Sequence, residues 1–214
     1  MTEKTMLSLK NLTLSYKNET IIKNINFEFG SHKIYIICGR NGIGKSTLLK
    51  SISGEIPTKP QHVIWQKRRV KTFFIPQTFE TRCDLTVSVK DILNFYNTNE
   101  SPIFNHLKDS FVPLKLYPKP WDALSGGERL RILLTCSFLA NPDMLLLDEP
   151  LNHLDEFSKN LVIQTMGHFL TQDARPRTII AISHDLTPFR ALNFANHQAM
   201  VRFLSLNNNG LHDE

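Results

Sequence analysis

The sequence predicts an α/β fold on a largely parallel sheet, with a mostly helical insertion near its middle. Three observations carry that prediction. Short continuous apolar runs at residues 34–38, 144–147 and 178–182 read as strands buried on both faces. Helix-patterned segments alternate with them. A glycine-rich stretch from Gly39 to Gly44 joins the first run to one of those helices.

Leu7, Leu9, Leu12, Leu14 and Tyr16 alternate loosely, as in a half-buried strand. A second strand fits residues 21–29, with Ile25, Phe27 and Phe29 on one face and the turn Gly30-Ser31-His32 after it. The buried run Ile34-Tyr35-Ile36-Ile37-Cys38 leads through the glycine loop into a helix over residues 45–53, stopped by Gly54. Residues 63–65 and 72–75 read as two short strands. From Thr78 to about Leu124 the pattern changes: helical pieces at 87–96 and 103–110 alternate with Pro102, Pro113, Pro118 and Pro120. A helix is expected over 126–140 and another over 156–170, with the strands 144–147 and 178–182 following or flanking them. Asn207-Asn208-Asn209-Gly210 reads as a turn. No internal repeat or low-complexity linker interrupts the chain.

A length of 214 residues fits one domain, or one domain with an inserted subdomain. Hydrophobic residues at 41% and charged residues at 21% exclude a disordered chain. The formal charge of +5 permits an acidic ligand or a membrane-surface contact without requiring nucleic acid. No apolar run approaches the ~18 residues of a membrane span, and the N-terminus lacks the apolar core of a signal peptide. Cys38, Cys83 and Cys136 form no C-x-x-C pair and are expected to be reduced thiols. Integral membrane, secreted and disulfide-scaffold classes are thereby set aside.

Gly39-Arg40-Asn41-Gly42-Ile43-Gly44-Lys45-Ser46 fits G-x-x-x-x-G-K-[ST]. Glycines let backbone N–H groups curl around phosphate oxygens. The helix that follows aims its positive end at the same anion. Lys45 supplies a point charge to the β- and γ-phosphates, and the Ser46 hydroxyl can ligate Mg²⁺. Asp148 and Glu149 emerge from the strand Met144-Leu145-Leu146-Leu147, at the edge where open α/β sheets bind ligands. Asp148 there can hold Mg²⁺ through water, and Glu149 can accept a proton from an attacking water. An isolated Asp-Glu pair would read as a solvated turn; following a phosphate loop it reads as chemistry.

Leu124-Ser125-Gly126-Gly127-Glu128 lies between these two motifs. The order of phosphate loop, L-S-G-G-E and L-L-L-D-E-P resembles the ATP-binding cassette (ABC) family of ATPases over nearly the whole chain. Gln77, after Phe74-Ile75-Pro76, is similar to the family's Q-loop; His184, after Ala181-Ile182-Ser183, to its switch histidine; and Asp155, in Leu151-Asn152-His153-Leu154-Asp155, to its D-loop. Tyr16 stands 23 residues before Gly39, near where the family places an aromatic that stacks on adenine. Alone, each would read blandly, as a loop glutamine, a satisfied histidine or an edge-strand aromatic.

The resemblance implies a P-loop NTPase core over 1–77 and 135–214, with an antiparallel β subdomain, and a helical signature subdomain over 78–134. It implies ATP and Mg²⁺ as cofactors. Gly39, Asn41, Gly42, Gly44, Lys45, Ser46, Thr47 and Tyr16 would bind ATP; Ser46, Gln77 and Asp148 would serve Mg²⁺; Glu149, His184, Gln77 and Lys45 would serve catalysis. Ser125, Gly126, Gly127, Glu128 and Asp155 would meet the ATP of a second cassette in a head-to-tail dimer. The implied function is to energise a transporter from the inner face of the cell membrane, touching it only through a multi-span permease, with a lean to metal or metal-chelate import. With 30 residues after His184, no appended regulatory domain is expected. Alternatives are a cassette acting on the ribosome or DNA, since Asn152-His153-Leu154-Asp155 resembles translation cassettes, and a haem-export type. A similar P-L-N-x-L-D loop also occurs in some importers for metal chelates and cobalamin, and no basic-aromatic platform for nucleic acid is present. The other histidines show no ligand spacing.

Overall fold

The computed structural model describes residues 4–16, 19–67, 69–78, 87–96, 102–192 and 201–214. Two sheets form. Strands β1 (Thr5–Tyr16), β2 (Glu19–Gly30) and β4 (Val63–Trp65) make an antiparallel sheet in the order β2-β1-β4. The second sheet holds β3 (Lys33–Cys38), β5 (Thr72–Ile75), β6 (Met144–Asp148), β7 (Thr178–Ile182), β8 (Val201–Asn207) and β9 (Gly210–Asp213). Its order is β5-β6-β7-β3-β8-β9, parallel except for the antiparallel β9.

The loose alternation in β1 has a local cause. Asn11 (φ 47°) and Asn24 (φ 58°) take the left-handed conformation, and the β1–β2 register shifts between Leu9 and Leu12. Asparagine tolerates that backbone better than most residues. The shift keeps Leu7, Leu9, Leu12 and Leu14 all buried.

Strand β3 is buried on both faces, as its unbroken apolar run requires. Ile34 and Ile36 join one core; Tyr35 and Ile37 join the other. The second core lies between the sheets, filled by β1, β2 and helix α1 (Lys45–Ser53). The first is covered by α2 (Val89–Tyr96), α3 (Pro102–Phe111), α4 (Gly126–Leu139), α5 (Glu156–Thr171) and α6 (Thr187–Leu192). Phe104 of α3 stacks on Phe138 of α4 at 5.9 Å between ring centres. Burial pushes the Cys136 thiol of α4 up to about 12, an inert thiol; Cys83 lies outside the described residues.

Strands β8 and β9 and helix α6 go beyond the sequence reading, which placed only a turn at 207–210. That turn is the tip of the β8–β9 hairpin, where Asn207 faces Gly210 (φ 118°).

Candidate functional site

Four adjacent parallel strands, in spatial order β5-β6-β7-β3, end on one edge of the sheet. Beyond those ends stand Gln77, then Asp148 and Glu149, then His184, then Gly39. At about 4.8 Å between strands the row spans about 14 Å, the scale of a triphosphate with its metal and attacking water. A cavity of about 580 Å³ opens there. Asn41, Gly42, Gly44, Lys45, Ser46 and Thr47 line it from the loop and α1; Gln77, Asp148, Glu149 and His184 line it from the other strand ends.

The loop is shaped by its glycines. A Cβ on Gly39 would lie 2.5 Å from the Leu206 carbonyl oxygen of β8, so a side chain there would break the strand packing. Gly44 caps α1 with φ 106°, a conformation that other residues rarely adopt. Lys45 is buried, and its Nζ donates to the carbonyl oxygens of Gly39 (2.8 Å) and Arg40 (3.1 Å). Burial pulls the Lys45 pKa down, while the charges of Glu149 and Asp148 oppose that shift.

Asp148 ends β6 at 3% exposure. Burial holds its carboxyl above the usual aspartate range, against a hydrogen bond from Ser46. Its Oδ1 is buried with no hydrogen-bond partner. An orphaned anionic oxygen beside a serine hydroxyl, opening on a phosphate-sized cavity, suits a hydrated divalent cation.

Glu149 takes the left-handed backbone (φ 57°), uncommon outside glycine and asparagine. Its N–H donates to the Ile182 carbonyl (3.1 Å), which fixes the turn against β7. Glu149 Oε1 lies 2.9 Å from His184 Nε2, and Oε2 accepts from Asn152 Nδ2 at 2.8 Å. The carboxylate is thus aimed into the cavity between two side chains.

The remaining residues singled out from the sequence stand elsewhere. Ser125 caps α4 in a reciprocal box: its Oγ accepts from the Glu128 N–H (3.3 Å), and Glu128 Oε2 accepts from the Ser125 N–H (2.8 Å). Those bonds, with Lys119, hold the Glu128 carboxyl below its ordinary value. Gly126 and Gly127 open the same helix. Asp155 caps α5 through the Ser158 N–H (2.8 Å) and pairs with Arg131 of α4 (3.2 Å). None of these five lines the 580 Å³ cavity. Tyr16 ends β1, and its side chain lies outside the described part of the structure. Ile21, Asn152 and Ile182 also line the cavity. Only Asn152 carried a sequence signal, its place three residues after Glu149.

A family model described as ABC transporter matches residues 22–152. The zinc import ATP-binding protein ZnuC of Rickettsia prowazekii (strain Madrid E) is 32% identical over 191 residues, covering 86% of this chain and 78% of the relative. A metal-chelate type ABC transporter solved in an inward-facing conformation is 24% identical, with a TM-score of 0.70 over 99% of this chain and 83% of that one. A structure of RNase-L Inhibitor is 20% identical, with a TM-score of 0.79 over 100% of this chain and 40% of that one. At such identities the two solved structures establish the fold. Taken with the phosphate loop, the acidic strand end and the capped signature helix, the family match shows that this chain belongs to the ABC transporter family, as an ATP-binding cassette that hydrolyses ATP.

Proposed function

We propose that the chain energises a membrane permease, as one half of a head-to-tail pair of cassettes closed by ATP, and that the cargo is a metal ion or metal chelate. The observation that carries the pairing is the signature helix. Gly126 and Gly127 have no positive φ, and among the described residues a Cβ on either would meet nothing within 4 Å outside its chain neighbours and the helix's own backbone. Among the described residues, nothing packed against that helix end asks for glycine. A close approach from outside does, and the N-terminus of α4 is built to receive an anion. The γ-phosphate of ATP held by a second copy is that anion, with Ser125, Gly126, Gly127 and Glu128 against it and Asp155 joining the two sites.

Within one chain, Gly39, Asn41, Gly42, Gly44, Lys45, Ser46 and Thr47 hold the phosphates, and Tyr16 supports the adenine. Ser46, Asp148 and Gln77 would hold Mg²⁺, which when bound neutralises phosphate charge. Among the described residues no three His, Cys, Asp or Glu side chains form a group that could hold a metal ion; with ATP bound, phosphate oxygens and water would supply the remaining ligands. Glu149 takes a proton from the attacking water, and His184 contacts the γ-phosphate. In this reading the chain divides into a core, 1–77 with 135–214, and an insertion, 78–134, that carries the described helices α2 and α3 and the signature, with Gln77 next to the division.

Metal import rests on the zinc import relative, which shares 32% identity over most of both chains. Among the described residues no helix is long and apolar enough to cross a membrane; in this reading a permease supplies the span, and this chain sits at the inner face of the membrane. The test is Glu149→Gln. It lowers turnover about 10²–10⁴-fold and lets an ATP-bound dimer accumulate in light scattering. Wild-type turnover would remove Glu149 as the base, and a monomer in saturating ATP and Mg²⁺ would remove the paired site.

A further inference from the structure

We infer that Asn152 is a positioning residue for Glu149, anchoring one carboxylate oxygen so that the other is the atom that takes the proton from water. This rests on Glu149 being the base. The backbone of Glu149 is fixed twice over: its N–H donates to the Ile182 carbonyl at 3.1 Å, and its own carbonyl accepts from the Asn152 N–H at 3.2 Å. What remains free is the rotation of the side chain. Two donors settle that rotation, Asn152 Nδ2 on Oε2 at 2.8 Å and His184 Nε2 by Oε1 at 2.9 Å. A carboxylate only accepts, so the Asn152 amide meets it through its NH₂.

The two donors are unequal. Asn152 belongs to the same four-residue turn as Glu149 and cannot leave without opening it. His184 follows β7, and its side chain is 48% exposed, so it can turn toward a phosphate in the cavity. When it does, Oε1 is released and Oε2 stays held. Water then donates its proton to Oε1 while its oxygen bonds to the γ-phosphorus. The bond from that phosphorus to the β–γ bridging oxygen breaks, and the electron pair leaves with ADP. Asn152 touches neither water nor phosphate in this scheme. It stops the carboxylate from swinging away, and it ties the base to the loop that ends at Asp155.

Steady-state ATPase of the purified chain tests this, with thermal melts as the control for folding. Asn152→Ala is expected to lower kcat about tenfold, the loss of one hydrogen bond to a charged group, with KM for ATP within about twofold. Asn152→Asp keeps the shape of the side chain, presents an acceptor to Glu149, and is expected to lose at least as much. In the Glu149→Gln background, Asn152→Asp is expected to cost under about threefold in single turnovers, because the held carboxylate is gone. Wild-type kcat in a folded Asn152→Asp variant overturns the proposal, as does a tenfold loss that persists in the Glu149→Gln background. A different failure, Glu149→Gln turning over like wild type, would sink the assignment of the base itself. Should Asn152→Ala fail to fold, the Asp pair of variants alone decides.

Discussion

Replacing Gly126 or Gly127 by alanine should separate stability from activity. Both residues begin α4 without a positive φ, and among the described residues the added methyl meets no atom within 4 Å outside its chain neighbours and the helix's own backbone. Alanine loses less conformational freedom on folding than glycine, which at compatible sites stabilises by about 0.4–1 kcal/mol. At a helix start the low end applies, about 0.5 kcal/mol, or about 1–2 °C in melting midpoint for a chain of this size. In the proposed pair, the same methyl would stand between the helix N-terminus and the phosphate of the second cassette's ATP. Losing one charge-assisted contact of about 1.5–3 kcal/mol lowers turnover about 10- to 150-fold. Melting curves without nucleotide and ATPase rates at saturating ATP read the two effects on the same samples. A lower midpoint would mean that the chain itself needs glycine there. A higher midpoint with unchanged turnover would mean that nothing approaches that helix end, and the paired site would fall.

Asp148→Asn should stabilise the nucleotide-free protein while removing Mg²⁺-dependent turnover. Burial raises the Asp148 pKa in the folded state, so its favourable contribution exists below the ordinary aspartate range and is lost as pH rises through the raised value. At neutral pH the buried charge therefore opposes folding; the midpoint gain of the variant should be largest near pH 7 and shrink toward about pH 4. A gain independent of pH would refute this. Asp173→Ala should destabilise by about 2–3 kcal/mol, somewhat below the loss of a fully buried pair, because Asp173 is half exposed while Arg177 is not exposed at all. Arg177 donates to both Asp173 oxygens and to Asn141 and lies over Phe169. Pairing lowers Asp173 from 3.8 to about 2, so this stability is present above the ordinary value and lost as pH falls toward about 2. Urea unfolding at neutral pH checks the first point, and acid melts the second.

Much of this molecule can be read along its chain because its chemistry sits at the ends of buried strands. An apolar run such as Met144-Leu145-Leu146-Leu147 has only one place in an α/β protein, and the acids that break it must surface at the ligand edge. The phosphate loop is legible for the same reason: Gly39 is needed against Leu206, and Gly44 for its positive φ. Strands β8 and β9 are hidden because their partners write the pattern. Phe203 and Leu204 stand side by side in sequence, Arg202 is neutralised by Asp213 across the hairpin, and neither feature alternates. Ile21 is hidden differently: it reaches the cavity because β2 passes beside Gly44, a consequence of packing that no local pattern encodes. Asn152 is half legible: its place three residues after Glu149 stands in the sequence, while its reach into the cavity depends on the left-handed turn of Glu149.

In the proposed role, ATP closes two copies of this chain to drive a membrane partner. The most direct measurement is to purify the tagged Glu149→Gln chain from its native cells in ATP and Mg²⁺ and identify what accompanies it. The proposed role predicts a multi-span membrane protein in stoichiometric amount, with a bound cargo that is a metal or its chelate. Ribosomal subunits or nucleic acid without any membrane protein would contradict it, and would make Asn152-His153-Leu154-Asp155 the sign of a cassette that works in translation.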